Sequence, residues 1–171
     1  MKVTLLASVS MDGLIADAAG VPSFPEASWP EWCARANAAG EKGGVVAGRA
    51  SVEQIVEFGM ADGVTLPHKV VLSSREEDVA DWRRAGSPAE ALAALEAAGV
   101  EEVIVGGGRA VYHAFMAAGL VDEVVLDLQP VVFGAGVPLF GETLELTALK
   151  LLEMTLLSGD ARRMRYAVAR G

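Results

Sequence analysis

Little in this sequence supports metal or thiol chemistry. One cysteine, Cys33, and two histidines, His68 and His113, occur among 171 residues. A lone cysteine excludes an internal disulfide and a cysteine-based zinc site, and two histidines are few for a histidine metal site. Cys33 reads more readily as a small buried side chain than as a nucleophile. Positive charge is also scarce: 14 Lys and Arg stand against 23 Asp and Glu, a net charge of −9. Nucleic-acid binding needs a basic footprint, so that class is excluded. A small anion is not, because a few local arginines outweigh a global charge. No apolar run approaches the roughly 20 residues of a membrane span. Lys2 and the run Val3 to Val9 resemble a signal peptide only superficially, since Asp12 and Asp17 interrupt it. The pattern G-x-x-x-x-G-K-[ST] is missing, which excludes a P-loop. There is no repeat, low-complexity tract or linker. The expectation is a single cytoplasmic domain over residues 1–171, with no membrane contact.

What is present centres on one stretch, Val103 to Tyr112. A β-branched run, Val103-Ile104-Val105, stops at Gly106-Gly107-Gly108, and a helical pattern follows at once, with Val111, Phe115 and Met116 on its apolar face. Glycines at such a junction let the backbone approach a ligand, and the free N–H groups of the next helix favour an anion such as a pyrophosphate. A tight strand-to-helix turn with no ligand is the other reading. The three glycines fill the first two positions of a dinucleotide fingerprint, but Val111 takes the third, and the unit falls late in the chain. A standard Rossmann domain is therefore not expected.

Strands and helices alternate along the chain. Val3 to Val9 predicts a strand, Ser10 to Gly13 a turn, Leu14 to Ala16 a short resumption, and residues 17–28 a loop long enough to be functional. Three stretches fit a capping box: Ser28-Trp29-Pro30-Glu31, Ser51-Val52-Glu53-Gln54 and Ser87-Pro88-Ala89-Glu90. Helices are expected from each, ending near Gly40, Gly59 and Gly99. Gly44 to Gly48, His68 to Leu72 and Val121 to Leu128 read as strands, and Val79 to Trp82 as a short one. Leu149–Leu157 and Arg163–Ala169 predict a terminal hairpin around Ser158-Gly159-Asp160. This order implies an α/β domain with a mixed, mainly parallel sheet covered on both faces and an antiparallel C-terminal hairpin.

Several motifs fall in one order: Ser10-Met11-Asp12-Gly13, Gly48-Arg49-Ala50-Ser51, Leu72-Ser73-Ser74-Arg75, Gly106-Gly107-Gly108-Arg109, Val121-Asp122-Glu123-Val124, and Pro130-Val131-Val132-Phe133-Gly134-Ala135-Gly136-Val137-Pro138-Leu139-Phe140. The set resembles the dihydrofolate reductase-like superfamily, and most of all the reductase domain of the bacterial riboflavin-biosynthesis deaminase/reductase. The resemblance covers nearly the whole chain and implies a three-layer α/β/α fold. It also implies NADPH as hydride donor. On that analogy Arg49, in a G-R-x-[ST] turn with Gly48, would pair with the adenosine 2′-phosphate, joined by Ser73, Ser74 and Arg75. Ser51, Gly106, Gly107, Gly108 and Arg109 would hold the pyrophosphate. Ala7 and Ile15 match positions whose backbone holds the nicotinamide carboxamide. Each has a plainer reading: a solvated arginine, a helix cap, a strand end.

The departures matter as much. The H-x-E and P-C-x-x-C zinc deaminase signature is missing from these residues, so the bifunctional enzyme is not expected. Dihydrofolate reductases carry an acid in the first helix. Glu31 lies near that place and Asp12 is a second candidate, but capping and turn formation compete for them. The catalytic residue stays unnamed. The function implied is NADPH-dependent reduction of a small heterocycle, with a ribosylaminopyrimidine phosphate as one candidate. Alternatives are reduction of a pterin or a foreign carbonyl or imine, and a non-catalytic nucleotide-binding protein. The apolar segment Val131 to Phe140 and the apolar terminal strands imply a homodimer.

Overall fold

Val3, Leu5, Leu6, Ala7 and Val9 are all buried, so the first strand is covered on both faces and sits at the middle of the sheet. In the computed structural model, which describes residues 1–169, β1 (Lys2–Val9) pairs in parallel with β6 (Glu102–Val105) and with β7 (Glu123–Leu128). Outside β6 lie β3 (Gly43–Gly48), β4 (His68–Leu72) and β5 (Arg83–Ala85), again parallel. Beyond β7 come β10 (Arg162–Val168) and β9 (Leu149–Leu156), both antiparallel. The eight-stranded order is β5-β4-β3-β6-β1-β7-β10-β9. A second, two-stranded sheet pairs β2 (Leu14–Asp17) with β8 (Gly136–Pro138). The last two residues of the expected 1–171 domain lie outside those described.

Two apolar clusters, one on each face, make three layers. Trp32, Cys33 and Ala36 of α1 (Ser28–Asn37) and Val52 of α2 (Arg49–Glu57) pack on Leu6, Val45, Ala47, Ile104 and Val125. Ala91 and Leu95 of α3 (Pro88–Ala97) and Val111, Tyr112 and Phe115 of α4 (Arg109–Ala117) pack on Leu5, Ala7, Val46, Val103 and Val105. Adjacent residues of β1 thus point into different clusters, and each fully buried Leu or Val adds roughly 1.5–3 kcal/mol. Among the described residues no helix is long and apolar enough to cross a membrane.

Several local expectations need correction. Only Ser87 caps as expected: its Oγ accepts from the Glu90 N–H at 3.2 Å, while Glu90 Oε2 accepts from the Gly86 N–H at 2.7 Å. Ser28 lies inside α1, buried, and the N-cap is Ala27. α2 begins at Arg49 with extended Gly48 as N-cap, two residues before the expected start at Ser51. The stretch Val79 to Trp82 forms only an isolated bridge, and the strand at this edge is β5, just after it. The helix α1 ends at Asn37 and a 3₁₀ turn follows at Gly40–Lys42.

Candidate active site

Two neighbouring strands, β3 and β6, are each joined to the following helix through glycine alone. Gly48 leads into α2 and Gly106–Gly108 into α4, on opposite faces of the sheet. The junctions are tied together: the Gly48 N–H donates to Gly107 O at 2.6 Å and the Gly106 N–H to Val46 O at 2.8 Å. Both N-caps are glycine, which has no side chain to satisfy first-turn N–H groups. Two helix N-termini, each with a positive dipole end, therefore meet at the carboxyl edge of the sheet. The Gly107–Gly108 peptide is cis.

These glycines have no room for a side chain. A Cβ on Gly107, at φ +113°, would come 3.0 Å from the Tyr112 hydroxyl, and one on Gly106 would meet the Trp32 ring at 3.0 Å. Tyr112 is itself committed. Its hydroxyl donates to Leu6 O at 2.9 Å, and Trp32 Nε1 donates to the same oxygen at 3.1 Å. One side chain from each face thus fixes β1 just past the end of its pairing with β6. Burial pushes the Tyr112 phenol well above its usual range, so it stays a donor.

A cleft of about 350 Å³ opens here, lined by Ser8, Ile15, Ser51, Gly106, Gly107, Gly108, Arg109 and Tyr112, with an aromatic and aliphatic wall from α1, α2 and the loop before α1. That volume suits a small-molecule site. Of the expected residues, Ile15, Ser51, the three glycines and Arg109 line it. Gly48 packs behind, where a Cβ would lie 3.1 Å from Val111.

Arg49, Ser73 and Arg75 form a second group beside it, at the ends of β3 and β4. Arg49 Nε donates to Ser73 Oγ at 2.7 Å, and its terminal nitrogen donates to Glu77 O. The Arg75 N–H also donates to Ser73 Oγ, at 3.0 Å. Glu53 Oε1 lies 3.5 Å from Arg49 and 3.6 Å from Arg75, so one carboxylate sits between two guanidiniums. Ser74 is exposed next to this group.

Three expected residues lie elsewhere. Ala7 is buried and paired with Leu126. Val3 O and Val9 O, which share its parity, accept from the N–H groups of Asp122 and Gln129 on the β7 side, so the even-numbered backbone of β1 faces β6 and Ser8 lines the cleft instead. Asp12 is a clamp: it accepts from Ser10 Oγ at 2.6 Å and from the N–H groups of Phe133 and Gly134 at 3.2 and 2.8 Å. Glu31 accepts from the Ser158 N–H and hydroxyl at 2.9 and 2.5 Å, pinning the terminal hairpin turn to α1. Neither acid lines the cleft. Cys33 is buried, which raises its thiol pKa to about 11. Among the described residues no cluster of three or more His, Cys, Asp or Glu is placed to hold a metal.

Sequence reasoning missed the wall itself. Trp29 and Trp32, three apart in α1, stack with centroids 5.3 Å apart and planes 5° from parallel. The signal was their i, i+3 spacing immediately after a long loop.

The RibD C-terminal domain family matches residues 1–161. Among solved structures, one assigned to riboflavin biosynthesis from Shewanella sp. PV-4 is 23% identical, with a TM-score of 0.77, 99% of this chain and all of that one covered. A pyrimidine reductase-like protein from Corynebacterium diphtheriae is 16% identical, with a TM-score of 0.70 over 99% of this chain and 92% of that one. Acinetobacter baumannii RibD is 18% identical, with a TM-score of 0.73. There the match covers 98% of this chain but only 58% of the other. No curated protein sequence matches. The dihydrofolate reductase-like architecture expected from the motifs is thus the observed one, and the chain belongs to the RibD C-terminal domain family.

Proposed function

We propose that this protein is an NADPH-dependent reductase of a small heterocyclic compound and that it acts as a homodimer. The observation that carries the cofactor reading is the pairing of two donor groups on one edge. The glycine-capped N-termini of α2 and α4, with Ser51 and Arg109, suit a pyrophosphate. The Arg49, Ser73 and Arg75 group suits a 2′-phosphate, since guanidiniums give a planar donor fork for it. When bound, NADPH supplies the hydride. The chain's own part is to hold both reactants in register and keep water out. A ribosylaminopyrimidine phosphate, a pterin and a foreign carbonyl or imine are the candidate substrates. Tight NADPH binding with no oxidation against any of them would favour a nucleotide-binding role, a reading supported by the lack of a carboxylate among the described lining residues.

The dimer reading rests on the terminal hairpin. One face of β9 and β10 carries Arg163, Arg165, Glu153 and Thr155 beside Arg35 of α1. Its other face carries Met154, Leu156, Met164 and Tyr166, with Arg162 at its end opposite Leu156, and the two β9 residues are exposed. A second copy offers the same apolar face by two-fold symmetry.

The cofactor assignment is tested with Arg49→Ala. Losing a charge-assisted contact of roughly 1.5–3 kcal/mol should weaken NADPH binding by about one to two orders of magnitude. NADH, without the 2′-phosphate, should bind almost as before. Equal changes for both cofactors, or none, would remove Arg49 from that role.

A further inference from the structure

The cleft is chemically lopsided. Its glycines, Ser51 and Arg109 supply donors for an anion. The rest of its wall includes Ile15, Pro22, Phe24, Trp29, Trp32 and Met60, and its remaining polar side chains, among them Ser8, Ser28 and Gln54, are neutral. Among the described lining residues Arg109 is the one cation, and it sits at the first position of α4 beside the glycines.

We propose that the substrate held on this wall is a flat, uncharged ring compound, not a phosphate ester. This rests on the reading of the cleft as the reductase site, and it narrows the candidates named there. Trp29, half-buried and backed by the stacked ring of buried Trp32, supplies a rigid aromatic surface that favours a planar ring. Gln54 and the serines supply neutral donors and acceptors for ring nitrogens or a carbonyl. A phosphate monoester carries between one and two negative charges at neutral pH, and the donors in the cleft that suit one, the two helix N-termini with Ser51 and Arg109, are those assigned to the pyrophosphate. The neighbouring arginines, Arg49 and Arg75, belong to the group assigned above to the 2′-phosphate, with Glu53 between them. The net charge of −9 further opposes an unpaired anion.

The test is a calorimetric titration of the full protein saturated with NADP⁺, using a matched pair: a ribosylaminopyrimidine 5′-phosphate and its dephosphorylated form. An uncharged two-ring compound, a pterin or a naphthoquinone, completes the panel. The dephosphorylated compound should bind at least as tightly as the ester, and ring binding should quench tryptophan fluorescence. Trp29→Ala should weaken ring binding by about tenfold or more, while Trp29→Phe should recover most of it. The wild-type comparison needs no variant, so a fold defect in Trp29→Ala leaves the test intact. An ester that binds tenfold or more tightly than its partner overturns the proposal, as does a panel in which no uncharged ring binds. A separate NADPH titration keeps the two readings apart. Ring binding without NADPH binding would sink the reductase and leave this inference standing, and the reverse outcome would do the opposite.

Discussion

Two strands of eight residues, β1 and β9, lie at opposite places in one sheet and meet opposite fates. β1 buries six of its residues, whereas β9 exposes all eight, among them Leu156 and Met154 at 65% and 63%. Hydrophobicity does not separate them, since Leu149-Lys150-Leu151-Leu152-Glu153-Met154-Thr155-Leu156 is itself largely apolar. What differs is the connection. Every parallel neighbour of β1 is reached through a crossover that lays structure on a face, while β9 and β10 are joined by a short turn that covers nothing. A parallel core seals itself, and an antiparallel hairpin at its edge needs a cover from outside. The site follows the same division, because the helix N-termini that face the cleft exist only where crossovers do.

The sharpest way to break this contrast is to make the hairpin's exposed face polar. Met154→Lys combined with Leu156→Lys places two charges on one face of β9. If that face binds a second copy, light scattering at micromolar concentration should fall from twice the chain mass to the chain mass. A wild type that is already monomeric would reject the dimer.

A smaller effect is expected at the seam between the two halves. Asp127 of β7 is fully buried and faces Arg163 of β10 across directly paired positions. Arg163 also donates to Glu31 O at 3.1 Å, so one guanidinium joins the parallel core, the hairpin and α1. Asp127→Asn leaves a largely buried charge without its partner, which costs about 3–5 kcal/mol. Denaturant unfolding measures that loss. A change under about 1 kcal/mol would mean that the seam is held by packing.

The parallel half is also the legible half. β1, β3, β4 and β6 announce themselves as β-branched runs closed by glycine or serine, and the ordered motifs mark out the glycine cradle and the Arg49 group by residue type and order alone. β5 is illegible because Arg83-Arg84-Ala85 has no strand propensity; it is a strand because it pairs with β4. Ser28 and Glu31 mislead because a capping box is a local pattern, and long-range partners outbid it. Glu31 reaches Ser158, 127 residues away. The aromatic wall is hidden for a related reason: Trp29 and Trp32 read as ordinary helix core until the loop before α1 leaves a cleft beside them. Ala7 shows the limit of analogy, since a shift of one residue along a strand turns the backbone to the other neighbour.

The weakest tie is the one that belongs to neither half. The loop after β7 returns over the turn between β1 and β2, and it is fastened there by the Asp12 carboxylate, which is exposed. The hydrogen bond from the Ser10 hydroxyl, then those from the Gly134 and Phe133 amides, hold the Asp12 pKa below its ordinary 3.8. A carboxyl whose pKa is depressed on folding stabilises the folded state above its unfolded value, and that contribution fades as pH falls through the folded value. The clamp should therefore be complete at neutral pH and open only below pH 3.8. The readout is the Gly134 amide resonance followed by NMR during acid titration. It should shift with a midpoint below 3.8, and in Asp12→Asn the shift should vanish while the fold persists. A wild-type midpoint at or above 3.8 would show that the loop does not stabilise the carboxylate, and the clamp would have to be assigned to the backbone pairing of β2 with β8 instead.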